Sequence, residues 1–504
     1  MAIKARALTL WMVVAFSLAV AWDVLAMAKD RDWKVVYTTT EGPEGRALEL
    51  LTAELGPLML RDDDFHSFHV LPLEREGGPS VDRKNRIVLG TWNGSKAIRS
   101  LLKEGDVPKG GYFVRARAED GTNVVVIAGD RPVDALYGAV DFIEDGLPSL
   151  AAPLGDGVRY RSQVFDGGRF DGGRRHQGVY SSRRVPECAV RSLFTWGHVI
   201  DDYRQYFREV ARLKLNRVIL WNEHPPVNAA DVVAYAHSWG VEVYWGFSWG
   251  WSTDCITAEQ VGLELLVESV CRDWREKWRG LPGDGIYFQT FTEKKSSIVR
   301  GETTARRAVR LVNAVVPRIR ADRPDLRIVF GLHADGMRDE LDVANAADPS
   351  LEILWENCGG FPFTPSDTDF NNDLAFVRRI LDGGHLYGLA VKGQLLQDWT
   401  HWDHQAGPYL LGCAGPAVLS RDRSVASPLL GAYVARWIAE GDRAYRLIRA
   451  VRSSANPPAE LNTVVEYNPP FDFSTALVAE LLWSCVEPYE TIRARVLNRA
   501  RDKN

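Results

Sequence analysis

The stretch DGIYFQTFTEKK, residues 284–295, runs strand-forming side chains into one carboxylate, Glu293. A carboxyl group at the end of an apolar run, with Phe291 beside it, is shielded enough to hold a proton and serve as a general acid. Cleaving a glycosidic bond in this way takes a second carboxylate, which attacks the sugar or activates water. The candidates for it are Glu223, Asp335, Glu356 and Asp398. Glu356 follows the apolar run LEILW directly and ranks first; Asp398, inside the Trp/His-rich loop QLLQDWTHWDHQAG, ranks second. Each has a plainer reading: Glu293 pairs with Lys294 or Lys295 at the surface, and Glu356 or Asp398 caps or hydrogen-bonds.

Such groups must be carried by something, and the chain offers short apolar strands alternating with amphipathic helices. Strand candidates are GVYSS near Val179, NRVILWNEH near Ile219, VEVYWGFSWG near Val243, GIYFQTFTE, LRIVFGLHADG near Val329, LEILWENCGG near Leu354 and LYGLAVKGQ near Leu389, with an eighth around GPAVLS near Val418. Helices such as DDYRQYFREVARLKL and TARRAVRLVNAVVPRIRA lie between them. Repeated strand-then-helix units without a glycine-rich first turn predict an α/β fold, a (β/α)8 TIM barrel, whose functional groups sit where strands end. The strand ends supply Arg183; Trp221, Asn222, Glu223 and His224; Trp245, Trp249 and Trp251; His333 and Asp335; Lys392 and Gln394; the loop adds Trp399, His401 and Trp402. Indoles stack on the C–H face of a sugar ring and polar groups read its hydroxyls, so the expected partner is a carbohydrate substrate. The histidines lack a regular ligand spacing, so no metal ion and no cofactor is expected.

Before the barrel, residues 33–146 alternate strands with helices and include two alternating runs around an Asp-Gly turn in GGYFVRARAEDGTNVVVIAG, the mark of a hairpin. This predicts a small α+β domain ahead of the barrel. The first residues carry a basic start, an apolar run and a small-x-small ending at Ala28, as a secretory signal does. The expected organisation is a signal peptide over 1–28, an α+β domain over 29–160, the barrel over 161–425 and helices packed on it over 426–504. The expected location is secreted or periplasmic. Six cysteines at wide spacing suit either disulfides or buried thiols.

With a formal net charge of −5, the chain has no electrostatic case for nucleic acid or for an anionic membrane surface once the signal is removed. Seventeen tryptophans suit both sugar platforms and a large core.

The segment IVLGTWNGSKAIRSLL together with GGYFVRARAEDGTNVVVIAGDRPVDALYGAVDFIEDGL resembles the α+β domain that precedes the barrel in β-N-acetylhexosaminidases, α-glucuronidases and O-GlcNAc-removing hydrolases, glycoside hydrolase families 20, 67 and 84. DDYRQYFREVARLKLNRVILWNEH is similar to the first helix and second strand of the same group. The resemblance implies a hydrolase with its acid at the tip of strand four, where Glu293 stands. Families 20 and 84 place two adjacent acids there, and this chain has Thr292 before Glu293. The α-glucuronidase arrangement, with water activated by later carboxylates, fits Glu293, Glu356 and Asp398 with least strain; Lys392 or Arg183 would then hold a substrate carboxylate. A noncatalytic carbohydrate-binding barrel is the alternative from another class.

Overall fold

The computed structural model describes residues 33–59, 71–119, 122–147, 180–195, 200, 202–221, 224–249, 262–289, 298–299, 301–333, 337, 340–356, 371, 374–375, 378–379, 384–394, 434–465 and 467–501. The chain divides into two units, residues 1–186 and 187–504, apart from the turn Ser238–Gly240.

The first unit holds strands β1 (Trp33–Tyr37), β2 (Leu73–Arg75), β3 (Asn85–Thr91), β4 (Tyr112–Glu119), β5 (Thr122–Gly129) and β6 (Tyr180–Arg184), in the spatial order β2-β1-β3-β5-β4-β6. The expected hairpin is present, with β4 antiparallel to β5 from Tyr112 opposite Gly129 to Glu119 opposite Thr122. Val36, Val88, Val124 and Val126 pack with Ile98 and Leu102 on one face of the sheet. Asp141, at the end of helix Pro132–Asp141, accepts hydrogen bonds from the Tyr112 and Tyr180 hydroxyls at 2.9 and 2.7 Å. That buried carboxylate ties β6 to the helix.

Here the structure corrects an expectation. Residues 180–184 belong to this sheet, antiparallel to β4 with Arg183 opposite Phe113, and not to the barrel. The Arg183 guanidinium donates to the Asp106 carbonyl at 3.2 Å. YSSRR alternates polar side chains as a half-exposed antiparallel edge strand does, whereas parallel barrel strands are buried on both faces.

The second unit is a closed, all-parallel barrel of eight strands: β7 (Val190–Thr195), β8 (Arg217–Trp221), β9 (Glu242–Ser248), β10 (Gly285–Gln289), then, after the two-residue strands β11 (Ile298–Val299) and β12 (Glu302–Thr303), β13 (Arg327–His333), β14 (Glu352–Glu356), β15 (Leu386–Gln394) and β16 (Glu460–Val465). The expected TIM barrel after an α+β domain is therefore present, with its first strand at Val190 and its eighth at Glu460. The segment near Val418 lies outside the described residues. The region beyond Ser424 is helical as expected at Asp442–Arg452, Phe473–Trp483 and Tyr489–Arg501, but β16 lies among those helices and closes the sheet.

Side chains alternate between the barrel interior and the helix layer. Phe194, Ile219, Tyr244, Tyr287, Val329, Leu354, Ala390 and Val464, one from each strand, form the apolar middle of the interior. Toward the N-terminal ends of the strands the interior turns ionic. The buried Arg217 guanidinium meets Glu460 at 2.6 Å, Glu242 at 3.0 Å and Glu352 at 3.2 Å, and lies 4.1 Å from the centroid of the Tyr244 ring. The Ser192 hydroxyl donates to Glu460 and accepts from the Asn462 amide.

The Lys-Leu-Asn sequence before β8 has a local reason. Lys214 takes the left-handed conformation, φ 58°, which ends the helix Tyr203–Arg212 abruptly. The Asn216 side chain then accepts from the Arg191 backbone N–H and donates to the Ala189 carbonyl, both at 2.8 Å, which fixes the register of β7 against β8.

At the lower rim of the barrel, where the strands begin, His237 and Asp284 meet at 2.9 Å, and Asp284 also accepts from the Val243 N–H at 2.8 Å. The Asp284 hydrogen bond raises the His237 pKa; Asp284 itself, despite burial, is held below its ordinary value by the bonds from His237 and Val243. The histidine contribution is complete below its unfolded value of about 6.5, and the aspartate contribution above about 3.9. His237→Ala is therefore expected to cost roughly 0.5 kcal/mol between these limits, a small figure because the pair is partly exposed. The gap to wild type should shrink as pH rises through the raised His237 value, as read from urea midpoints at pH 5.5 and 9.

Candidate functional site

The C-terminal ends of the barrel strands carry a small set of buried polar groups above the apolar middle layer. Gln289 ends β10 two residues after the inward-facing Tyr287, and Glu356 ends β14 two residues after the inward-facing Leu354. The period of two therefore turns both toward the interior. Gln289 and Glu356 are each 1% exposed. The Gln289 amide nitrogen donates to Glu356 Oε1 and, at 2.8 Å, to the Tyr287 hydroxyl.

Gly331 on β13, the strand between β10 and β14, makes this reach possible. A Cβ there would overlap the Tyr287 hydroxyl and stand 2.9 Å from Gln289 Cγ. The missing side chain is the space through which Gln289 crosses to Glu356. Trp221, at the end of β8, completes the described interior: its ring meets Phe194 and Tyr287 edge-on at centroid distances of 6.2 and 5.9 Å and lies against Gly246. The Thr195 hydroxyl, at the end of β7, donates to the Ile219 carbonyl at 3.2 Å.

Of the residues expected at the strand tips, the structure brings Trp221 and Glu356 to the barrel interior. His224 stands partly buried in the turn after β8. His333 is the register partner of Glu356, and Lys392 and Gln394 lie on β15, where the register shifts between Val391 and Gln394. Glu293, Asp398, Asn222, Glu223, Trp251, Asp335, Trp399, His401 and Trp402 lie outside the described residues.

Two tryptophans expected as sugar platforms are instead packing groups. Trp245 is on the outward phase of β9, and its indole N–H donates to the Pro282 carbonyl at 2.6 Å. Trp249 is fully buried and stacked on Phe288 at a centroid distance of 3.6 Å; Phe288 stacks in turn on Phe330. Trp245 belongs to the layer between sheet and helices because it is on the outward phase of β9, and Trp249, one residue past β9, is stacked on the outward-facing Phe288. Arg183 lies on β6, in the sheet of the first unit.

Sequence reasoning missed Gln289, Tyr287 and Gly331. The signal was present: in GIYFQ, Tyr287 and Gln289 share one face, two residues apart, on the strand leading to Glu293. Three cysteines, Cys188, Cys271 and Cys485, are free and buried; burial raises all three thiols, Cys485 to about 12, which favours the protonated form. Among the described residues, no cluster of His, Cys, Asp and Glu has the arrangement of a metal site, and no helix is long and apolar enough to cross a membrane.

No protein-family model matches the chain, and no curated protein matches it in sequence. Among solved structures, CpGH84D aligns at 12% identity and TM-score 0.39, covering 71% of this chain and 57% of that one. CpGH84B aligns at 10% identity and TM-score 0.44, covering 92% of this chain and 70% of that one. This chain thus spans little more than half the length of the first. Neither alignment assigns a role to any residue here. The likeness to glycoside hydrolase family 84 structures is a distant one, of fold.

Proposed function

We propose that the protein is a glycoside hydrolase of O-glycosyl bonds, exported by its N-terminal signal and acting at the end of an oligo- or polysaccharide chain. Glu293, four residues after the end of β10 in the sequence, serves as general acid, and Glu356 as the second carboxylate, with Asp398 the next candidate. The observation that carries this reading is Glu356 itself. It is a buried carboxylate on the interior face of a closed parallel barrel, at the end where strands give way to loops, and it is held by an amide donor. Burying a carboxylate is costly, and a site that needs one to attack or to activate water is a reason to keep it there. The α-glucuronidase-like or hexosaminidase-like character rests on the sequence resemblance, in which Thr292 before Glu293 disfavours cleavage assisted by an acetamido group.

The test is a screen of the purified protein against aryl glycosides and plant and bacterial oligosaccharides, with Glu293→Gln and Glu356→Gln beside the wild type. Release of one sugar by the wild type, reduced by about three orders of magnitude or more in each variant, is the expected result. Sugar binding that is equal in all three proteins, without product, would establish the noncatalytic binding barrel instead.

A further inference from the structure

The Gln289 amide group has two N–H bonds, and the structure uses both: one goes to Glu356 Oε1, the other to the Tyr287 hydroxyl. Tyr287 precedes Gln289 by two residues on the same strand, so the second bond fixes the amide plane from below. With the plane fixed, the first bond points across the space left by Gly331 to one oxygen of one carboxyl group. Three strands, β10, β13 and β14, thus converge on the orientation of Glu356. Hydrogen bonds donated to a carboxylate favour its charged form, and a charge in this interior needs such a donor because water is excluded.

We propose that Gln289 is a positioning residue that holds Glu356 as the ionised carboxylate of the site, so that Glu356 attacks or activates water and does not deliver the proton. The assignment of a catalytic role rests on the hydrolase reading; the hold of Gln289 on Glu356 does not. It gives a structural basis to the division of labour expected from the sequence, with Glu293 as the acid and Glu356 as the second carboxylate. Glu356 keeps an N–H donor and stays charged, and the proton needed by the departing oxygen comes from the other carboxyl group. Among the described positions, titratable residues stand at Tyr287 on β10, at His333, the register partner of Glu356 on β13, and at Lys392, two residues beyond its partner Ala390 on β15.

Two variants of the full chain separate positioning from simple packing. Gln289→Met keeps the volume and removes the N–H donor; Gln289→Glu keeps the shape and sets a second carboxyl against the first. Infrared difference spectra, taken for each protein against its own Glu356→Gln counterpart, isolate the Glu356 carboxyl band as pH is lowered. In Gln289→Met the protonated band is expected to appear about one pH unit or more above its position in the wild type. In Gln289→Glu a proton shared between the two carboxyl groups should persist toward neutrality. On a sugar that the wild type hydrolyses, Gln289→Met should lower kcat about tenfold or more, leave KM within about twofold, and move the acidic limb of the pH profile upward.

A Glu356 titration that does not move in either variant overturns the proposal, whatever the activity. A titration that moves while the wild type releases no sugar upholds the hold of Gln289 on Glu356 and overturns the hydrolase reading alone. A moved titration together with a lowered kcat upholds both.

Discussion

Replacing Arg217 with methionine is expected to destabilise the barrel by about 3–5 kcal/mol at neutral pH, the range for removing one member of a buried ionic group. The loss follows from what remains. Arg217 is the cation to which Glu460, Glu242 and Glu352 all turn, and Glu460 is 4% exposed. Methionine fills the space and covers the Tyr244 ring, so the destabilisation reports charge and not a cavity. The pH dependence supplies a check of sign. Burial already lifts the Glu352 carboxyl above its ordinary range, and the Arg217 charge opposes that lift. Without Arg217, Glu352 takes up a proton more readily folded than unfolded, so the variant gains stability as pH falls. The gap between variant and wild type should therefore narrow from pH 7 to pH 5, as measured by urea unfolding of the two proteins in parallel. Adding Glu460→Gln should recover part of the loss at pH 7, since it removes one of the stranded charges. A gap that is constant with pH would mean that the cluster holds the barrel by shape alone.

The same cluster explains which parts of the fold were legible in the sequence. The stretches VILW of β8 and ILW of β14 are buried on both faces and read as apolar runs, and the barrel class followed from such stretches. The first and last strands did not. In VRSLFT and ELNTVV the interior positions before Phe194 and Val464 include Ser192, Glu460 and Asn462, whose partners include one another and Arg217, so polar residues stand where an apolar pattern is sought. A buried polar side chain satisfied by a strand more than two hundred residues away leaves no local trace. Losing those two strands moved the barrel's apparent start to YSSRR, and Arg183 with it. The tips divided in the same way. Glu356 was legible because an apolar run aims it directly. Trp245 and Trp249 were misread because a tryptophan is as good a filler between sheet and helix as it is a platform, and only the strand phase distinguishes the two. Gln289 was invisible because its significance lies in a carboxylate on another strand, reached past a glycine on a third.

That glycine is the subject of the second large effect. Gly331→Ala is expected to cost about 1–3 kcal/mol, the usual range for overpacking a filled interior, and in addition to lower turnover on any sugar the wild type cleaves. The added methyl would overlap the Tyr287 hydroxyl and press on Gln289 Cγ, and β10 offers little room for retreat, since its outward side chain Phe288 is stacked between Trp249 and Phe330. The tyrosine ring is the easier group to move, and Gln289 then loses the bond that fixes its amide plane. Removing only the offending oxygen separates the two consequences. Tyr287→Phe on the Gly331→Ala background clears the worst overlap, so thermal or urea stability should recover in part. Turnover should not recover to the same extent, because the phenyl ring cannot accept the hydrogen bond that orients Gln289 toward Glu356. Equal recovery of both would show that Gly331 serves packing only, and that the amide reaches its carboxylate without help from Tyr287.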